Sequence, residues 1–328
     1  MLAIRAEHLA RTFNPDIKAV DGIDLAIEPG RVFGFLGQNG SGKTTTVRML
    51  TTLLKPTGGR AEVLGFDVTR QGAKVREQIG VALQEAGLDE MQTGRETLVL
   101  HGQLFGMGRR RAESRAAELL EIVDLAEAAD RRVGGYSGGM QRRLDLAAAL
   151  VHEPKVLFLD EPTTGLDPVS REAIWRYVAD LNARDGVTVF LTTQYLEEAD
   201  RLAHEVAIMD LGRIVAQGSP DELKASIGTD VVTVRPAGGA EGLDRAEQLL
   251  KALEGVTELR RVGPTLVVYI AEGARAVPRI VLLLSEGDVD VVDITLARPT
   301  LDDVFLRTTG HHMEVGAAPQ HSESEDRL

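Results

Sequence analysis

One octapeptide constrains this chain more than any other feature. Gly37-Gln38-Asn39-Gly40-Ser41-Gly42-Lys43-Thr44 fits the pattern G-x-x-x-x-G-K-[ST] at every fixed position. Its flanks are those the chemistry requires. Arg31 to Leu36 reads as a buried strand, and Thr45-Thr46-Val47-Arg48-Met49-Leu50 begins a helix. A glycine-rich turn between the two lets backbone N–H groups converge on an anion, and the helix N-terminus adds its positive dipole end. Lys43 would reach the β- and γ-phosphates, and the Thr44 hydroxyl would ligate Mg²⁺. The candidate nucleotide contacts here are Gly37, Gln38, Asn39, Gly40, Ser41, Gly42, Lys43, Thr44 and Thr45. The chain is expected to bind a nucleoside triphosphate.

Size and charge narrow what the nucleotide serves. With 328 residues the chain can build two domains, each with its own core. A net charge of −13 disfavours a general nucleic-acid binder, which needs a basic face for phosphates. There are no cysteines, which excludes disulfides and thiolate metal sites. The first residues lack the basic region and apolar core of a signal peptide, and no stretch approaches the ~20 apolar residues that span a bilayer. Any work at a membrane is therefore expected to need a separate membrane-crossing polypeptide.

The pattern predicts strands and turns over residues 2 to 35 and a helix end near Lys55-Pro56-Thr57-Gly58-Gly59. A helical block follows from about Thr93 to Glu153, with apolar residues three and four apart over Ala112 to Ala129. Strands at Val156 to Leu159 and Val187 to Thr192 flank a helix over Ser170 to Ala183, so a largely parallel, doubly covered sheet is expected. Val206 to Met209 and Arg213 to Ala216 read as a hairpin. Beyond about Thr229 the order strand, helix, strand, strand, helix, strand (Val231 to Leu296) suggests a small ferredoxin-like α/β module. The expected division is a nucleotide-binding domain over 1–225 with a helical subdomain about 93–153, an accessory domain over 229–309, and a polar, acidic tail over 310–328 that composition predicts to be disordered.

Two further stretches separate this chain from other phosphate-loop proteins. Tyr136-Ser137-Gly138-Gly139-Met140-Gln141-Arg142-Arg143 makes Ser137 an N-cap beside two glycines, a second helix N-terminus open to an anion. In Val156-Leu157-Phe158-Leu159-Asp160-Glu161-Pro162 an apolar strand ends in adjacent carboxylates. Asp160 can hold Mg²⁺, and Glu161 can polarise an attacking water.

Together these stretches resemble the nucleotide-binding subunit of an ABC transporter. The likeness runs from about Leu2 to Gly218 and implies a P-loop NTPase fold, of ABC type, with ATP and Mg²⁺ as ligands. It implies roles residue by residue. Gly37 to Thr44 form the Walker A loop, and Asp160 and Glu161 supply Walker B and the catalytic carboxylate. Gln84, in Val81-Ala82-Leu83-Gln84-Glu85, reaches Mg²⁺ and the γ-phosphate and faces the membrane partner. Ser137, Gly138 and Gly139 form the signature loop, and Gly165-Leu166-Asp167 crosses between subunits. Phe13 stands where an aromatic stacks on adenine, although an ordinary exposed aromatic would look the same. Two copies would pair head to tail, each nucleotide lying between one Walker A loop and the other copy's Ser137 loop.

The chain departs from the common pattern at Met140, where glutamine is usual, and at Gln194 in Leu191-Thr192-Thr193-Gln194-Tyr195, where a switch histidine is usual. A glutamine amide can still donate to the γ-phosphate but cannot titrate near neutrality. Gln194 is therefore expected to keep the sensing contact, with slow hydrolysis insensitive to pH through this group. Tyr136 to Met140, Leu144-Asp145-Leu146-Ala147, Gln194 and Arg298-Pro299-Thr300-Leu301-Asp302-Asp303-Val304-Phe305-Leu306 are similar to the daunorubicin-resistance type of drug-efflux ATPase. That likeness implies a homodimer under a separate integral membrane permease, at the cytoplasmic face of the cell membrane. Leu301 to Leu306 either supports dimer or permease contact or simply closes the small module. Rival readings are an exporter of lipid or polysaccharide, a solute importer, a soluble non-transport ABC ATPase, and a P-loop kinase or GTPase.

Overall fold

A computed structural model describes residues 1–14, 17–84, 87–227, 230–297 and 299–310. Glu85, Arg298 and, of the tail that composition predicted to be disordered, residues 311–328 lie outside the described residues. The chain divides into two compact units, one of Met1–Pro220 and one that begins at Asp221.

The first unit opens with β1 (Ile4–Thr12), β2 (Lys18–Ile27), β3 (Val32–Leu36), α1 (Lys43–Leu50), β4 (Gly58–Val63), β5 (Phe66–Asp67), α2 (Gly72–Arg76) and β6 (Ile79–Ala82). A helical block of α3 (Gly94–Leu104), α4 (Arg109–Ile122) and α5 (Gly138–Leu150) follows. Next come β7 (Val156–Asp160), α6 (Pro168–Asp185), β8 (Thr188–Thr193), α7 (Leu196–Leu202), β9 (Glu205–Asp210) and β10 (Arg213–Gly218), and α8 (Pro220–Ile227) leads into the second unit.

The strands form two sheets. The order β10-β9-β3-β8-β7-β6 is parallel except for β10, the antiparallel edge of the hairpin read from the sequence. Every residue of β3, β7 and β8 is buried, as strands covered on both faces require. Phe33, Phe35 and Phe158 surround Phe190 with ring centroids 5.4–5.6 Å apart on one face. Each such buried ring contributes roughly 1.5–3 kcal/mol of transfer free energy. The other face carries Leu157, Leu159 and Leu191, which pack with Leu119, Leu144 and Ile174 of the helices.

The six-stranded sheet is the largely parallel, doubly covered sheet expected from the sequence, and a second sheet stands beside it in the chain's first unit. β2, β1, β4 and β5 form a separate antiparallel sheet in that order. The physical reason is visible in β2, whose buried and exposed residues alternate, so that only one face has a core to join. The helix read over Ala112 to Ala129 also stops sooner, at Ile122. Asp124 turns the chain with φ of 54°, and a short 3₁₀ turn covers Ala126–Ala128.

The second unit contains β11 (Asp230–Pro236), α9 (Gly239–Lys251), β12 (Val256–Val262), β13 (Thr265–Ile270), α10 (Gly273–Glu286), β14 (Val291–Ala297) and α11 (Leu301–Thr309). Its antiparallel sheet has the order β12-β13-β11-β14, the split β-α-β arrangement of a ferredoxin-like module. Thr300 and Asp303 close a capping box at the start of α11, so the Leu301 to Leu306 segment is helical.

Candidate nucleotide site

The site is built where β3, β7 and β8 end. The loop after β3 needs glycine for a stated reason at two positions. Gly42 sits at φ 110°, and a Cβ there would lie 2.3 Å from the Ala19 carbonyl oxygen. A Cβ on Gly37 would lie 2.4 Å from the Met209 carbonyl oxygen. The turn delivers Lys43 as the first residue of α1, with only 4% of it exposed.

Lys43 Nζ donates to the carbonyls of Gly37 (2.7 Å) and Gln38 (3.0 Å) and lies 3.6 Å from Glu161 Oε1. Burial lowers its pKa, opposed by the Glu161 and Asp160 carboxylates. The ammonium is therefore held inside its own loop by partners that an incoming phosphate oxygen can replace.

Asp160, the last residue of β7, accepts at Oδ1 from Thr44 Oγ1 (3.3 Å) and Thr192 Oγ1 (2.5 Å). Its Oδ2 is buried without a hydrogen-bond partner, as are Ser41 Oγ and Gln194 Oε1. A hydroxyl beside an unpartnered carboxylate oxygen is the hard oxygen donor set that suits a small divalent cation.

Glu161 follows with φ of 49°, a left-handed conformation that costs a non-glycine residue roughly 1–3 kcal/mol. The strain is held by its N–H, which donates to Thr192 Oγ1 (3.1 Å), and by Thr164 Oγ1, which donates to its carboxylate (3.2 Å). The carboxylate is thus turned beside Lys43 rather than continuing the strand.

The structure brings Lys43, Thr44, Asp160 and Glu161 into one bonded cluster, with buried Gln194 two residues beyond the Thr192 that joins it. Phe13 is half exposed, with the Arg11 guanidinium 4.7 Å from its ring centroid, and Gln84 is exposed just past β6. Ser137 caps α5 by accepting from the Met140 N–H (3.3 Å), and Ser137 and Gly138 face solvent. The signature helix N-terminus is therefore displayed outward.

Sequence reading missed Thr192 and Arg142. Arg142 is 7% exposed on α5, and its guanidinium donates to the carbonyls of Leu83, Asp160 (3.0 Å) and Pro162 (3.0 Å). One side chain thereby braces the residue before Gln84, the end of β7 and the turn after Glu161 against the helix that starts at Ser137. The clue in the sequence was an arginine amid the apolar face Leu144, Leu146 and Ala147. Asp145 pairs with Arg142 at 3.1 Å, and burial pushes its carboxyl up to about 6 although Arg142 opposes this.

The comparisons with known proteins agree with this geometry. The ABC transporter family matches residues 20–164, and the DrrA1-3-like ATP-binding protein C-terminal domain matches residues 218–309. The daunorubicin resistance ATP-binding protein DrrA2 of Streptomyces coeruleorubidus is 48% identical, covering 95% of this chain and 96% of its own. The chain belongs to the ABC transporter ATP-binding family, in the DrrA group. The daunorubicin/doxorubicin resistance ATP-binding protein DrrA of Streptomyces peucetius is 46% identical over 98% of this chain and 97% of its own. The Nod factor export ATP-binding protein I of Paraburkholderia xenovorans is 41% identical over 90% and 93%. Among solved structures, a dimeric ATP-binding cassette in a post-hydrolysis state bound to ADP and Pi aligns with TM-score 0.62 at 25% identity, covering 66% of this chain and 98% of that one. The cbiO1 protein of Clostridium perfringens, part of an ABC transporter complex, aligns with TM-score 0.63 at 28% identity, covering 69% and 92%.

As a member of the ABC ATP-binding family the chain is a nucleotide-binding ATPase, of a kind that works as a dimer with a separate membrane permease. Among the described residues no helix is long and apolar enough to cross a membrane.

Proposed function

We propose that this chain hydrolyses ATP to power an exporter of hydrophobic drugs or antibiotics, as a homodimer bound to a separate integral membrane permease at the cytoplasmic face of the membrane. The observation that carries the reading is near-half identity to daunorubicin resistance ATP-binding proteins across both units of the chain. The nucleotide-binding domain is assigned to 1–225, with a helical subdomain about 93–153, and the accessory domain to 229–309.

Within that reading Lys43 exchanges its Gly37 and Gln38 carbonyl partners for β- and γ-phosphate oxygens, while the N–H groups of Gly37 to Thr45 cradle the rest of the triphosphate. Thr44, Asp160 and Gln84 would hold Mg²⁺, which would supply positive charge to offset the charge that develops on the phosphate during hydrolysis. Glu161 accepts the proton of the attacking water, and the Gln194 amide donates to the γ-phosphate. Phe13 supports the adenine. Ser137, Gly138 and Gly139 of the second copy close the site, so that ATP bridges two chains and hydrolysis removes the bridge.

The test is co-purification with the permease and measurement of ATPase activity against daunorubicin. Stimulation by the drug, abolished by Glu161→Gln, is the expected result. Stimulation by a lipid or polysaccharide but not by drugs would replace this reading with that of an exporter of lipid or polysaccharide. Activation only by a solute-binding protein would make it an importer.

A further inference from the structure

α7 carries a carboxylate with no part in the chemistry above. Glu198 is 1% exposed. Its Oε1 accepts two hydrogen bonds, from Trp175 Nε1 on α6 (2.8 Å) and from Thr163 Oγ1 (3.1 Å), while Oε2 is buried without a hydrogen-bond partner. Burial pushes its carboxyl up, opposed by the side-chain donors around it and by the charge of Arg171. A buried carboxylate is costly to keep, so its retention here calls for a reason other than packing.

The reason lies in what the two bonds join. Thr163 stands two residues after Glu161 and leads into the Gly165-Leu166-Asp167 loop, whose Asp167 caps α6. Trp175 lies on α6 itself. Glu198 stands four residues after Gln194, in the first turn of α7, and the Arg171 guanidinium of α6 lies 4.5 Å from the ring centroid of the intervening Tyr195. A single carboxyl oxygen therefore links the segment that carries the phosphate sensor, the turn that carries the water-activating carboxylate, and the helix behind the subunit-crossing loop.

We propose that Glu198 is a positioning residue, which makes the Gln194 segment and the Glu161 turn move as one body when nucleotide binds. This rests on the roles assigned to Glu161 and Gln194. An amide at this position keeps an acceptor oxygen for Trp175 and Thr163, whereas alanine keeps none. Trp175 is the chain's single tryptophan, so its emission reads the Glu198 bond directly.

The experiment compares Glu198→Ala and Glu198→Gln in the full chain. Glu198→Ala is expected to lower kcat by about tenfold or more while KM for ATP stays within about threefold, as a misplaced group rather than a lost binding contact requires. It should also abolish the change in Trp175 emission on ATP addition, and Glu198→Gln should restore both. If Glu198→Ala fails to fold, Thr163→Val removes one bond alone and should lower kcat without raising KM. Unchanged kcat in a folded variant, equal losses in kcat and ATP affinity, or failure of Glu198→Gln to rescue would each overturn the proposal. Failure of the underlying reading looks different: Glu161→Gln or Gln194→Ala would then leave hydrolysis intact.

Discussion

Arg142 and Asp145 form a buried ion pair in which the two partners are not equally comfortable. Arg142 spends its guanidinium on three backbone carbonyls of the site, while Asp145 is held at about 6 against an ordinary 3.8 because burial outweighs the attraction of Arg142. The sign of the effect on stability follows. A carboxyl whose folded pKa is raised binds its proton more tightly in the folded chain, so stability falls as pH rises from about 4 through 6. The cost is fully present above 6 and is at most on the order of 3 kcal/mol. Asp145→Asn is therefore expected to melt at a higher temperature than the parent at pH 7, with the difference shrinking toward pH 4. A constant difference across that range would contradict it. Gln194 is the other residue whose chemistry can be isolated. It is buried with an unpartnered Oε1, and an amide carries no charge. Gln194→Ala should lower kcat with little change in KM, and Gln194→His should add an inflection near pH 6–7 to the rate profile that the parent lacks. Single residues were legible when backbone geometry demanded them, as at Gly37, Gly42 and the Asp160-Glu161 end of β7. Arg142, Thr192 and Glu198 were not, because the site groups they hold lie 18 or more residues away and no local pattern announces those contacts.

Among the elements, the interior strands β3, β7 and β8 carry at their C-terminal ends the three segments to which the proposed function assigns nucleotide chemistry, and the phenylalanine cluster packs on one face of these strands. Phe190 touches Phe33, Phe35 and Phe158 and has no exposed surface. Phe190→Ala is expected to cost about 3–5 kcal/mol and to show as a shift in the denaturation midpoint. A loss under 1 kcal/mol would mean that the site edge is not supported from there. Apolar strands flanking glycine-rich turns made the central sheet readable from sequence. The antiparallel sheet was less so, because β1 finds β4 across two intervening strands, a loop and a helix, and no local period encodes that pairing. The second unit was readable because the amphipathic helices α9 and α10 separate short strands, of which β13 alternates in burial along its length.

For the whole molecule, we propose a division of labour between a unit that binds nucleotide and a unit that supports assembly. Deleting residues 229–328 is expected to leave basal ATP binding in place while reducing recovery of the permease complex, measured by co-purification. Full assembly and transport without those residues would remove the accessory role. The outward-facing Ser137 and Gly138 matter at this scale too, since on the proposed function this helix N-terminus, displayed to solvent, would complete the nucleotide site of a second copy. The family and its fold could be read from the Walker and signature stretches, and the head-to-tail pairing was an expectation from the resemblance that a single copy of the chain does not test. The direct measurement is the mass in solution of the Glu161→Gln chain with and without ATP and Mg²⁺. The account predicts a dimer with nucleotide and a monomer without it, the dimer being lost on Ser137→Arg. A Glu161→Gln chain that binds ATP yet remains monomeric would contradict it.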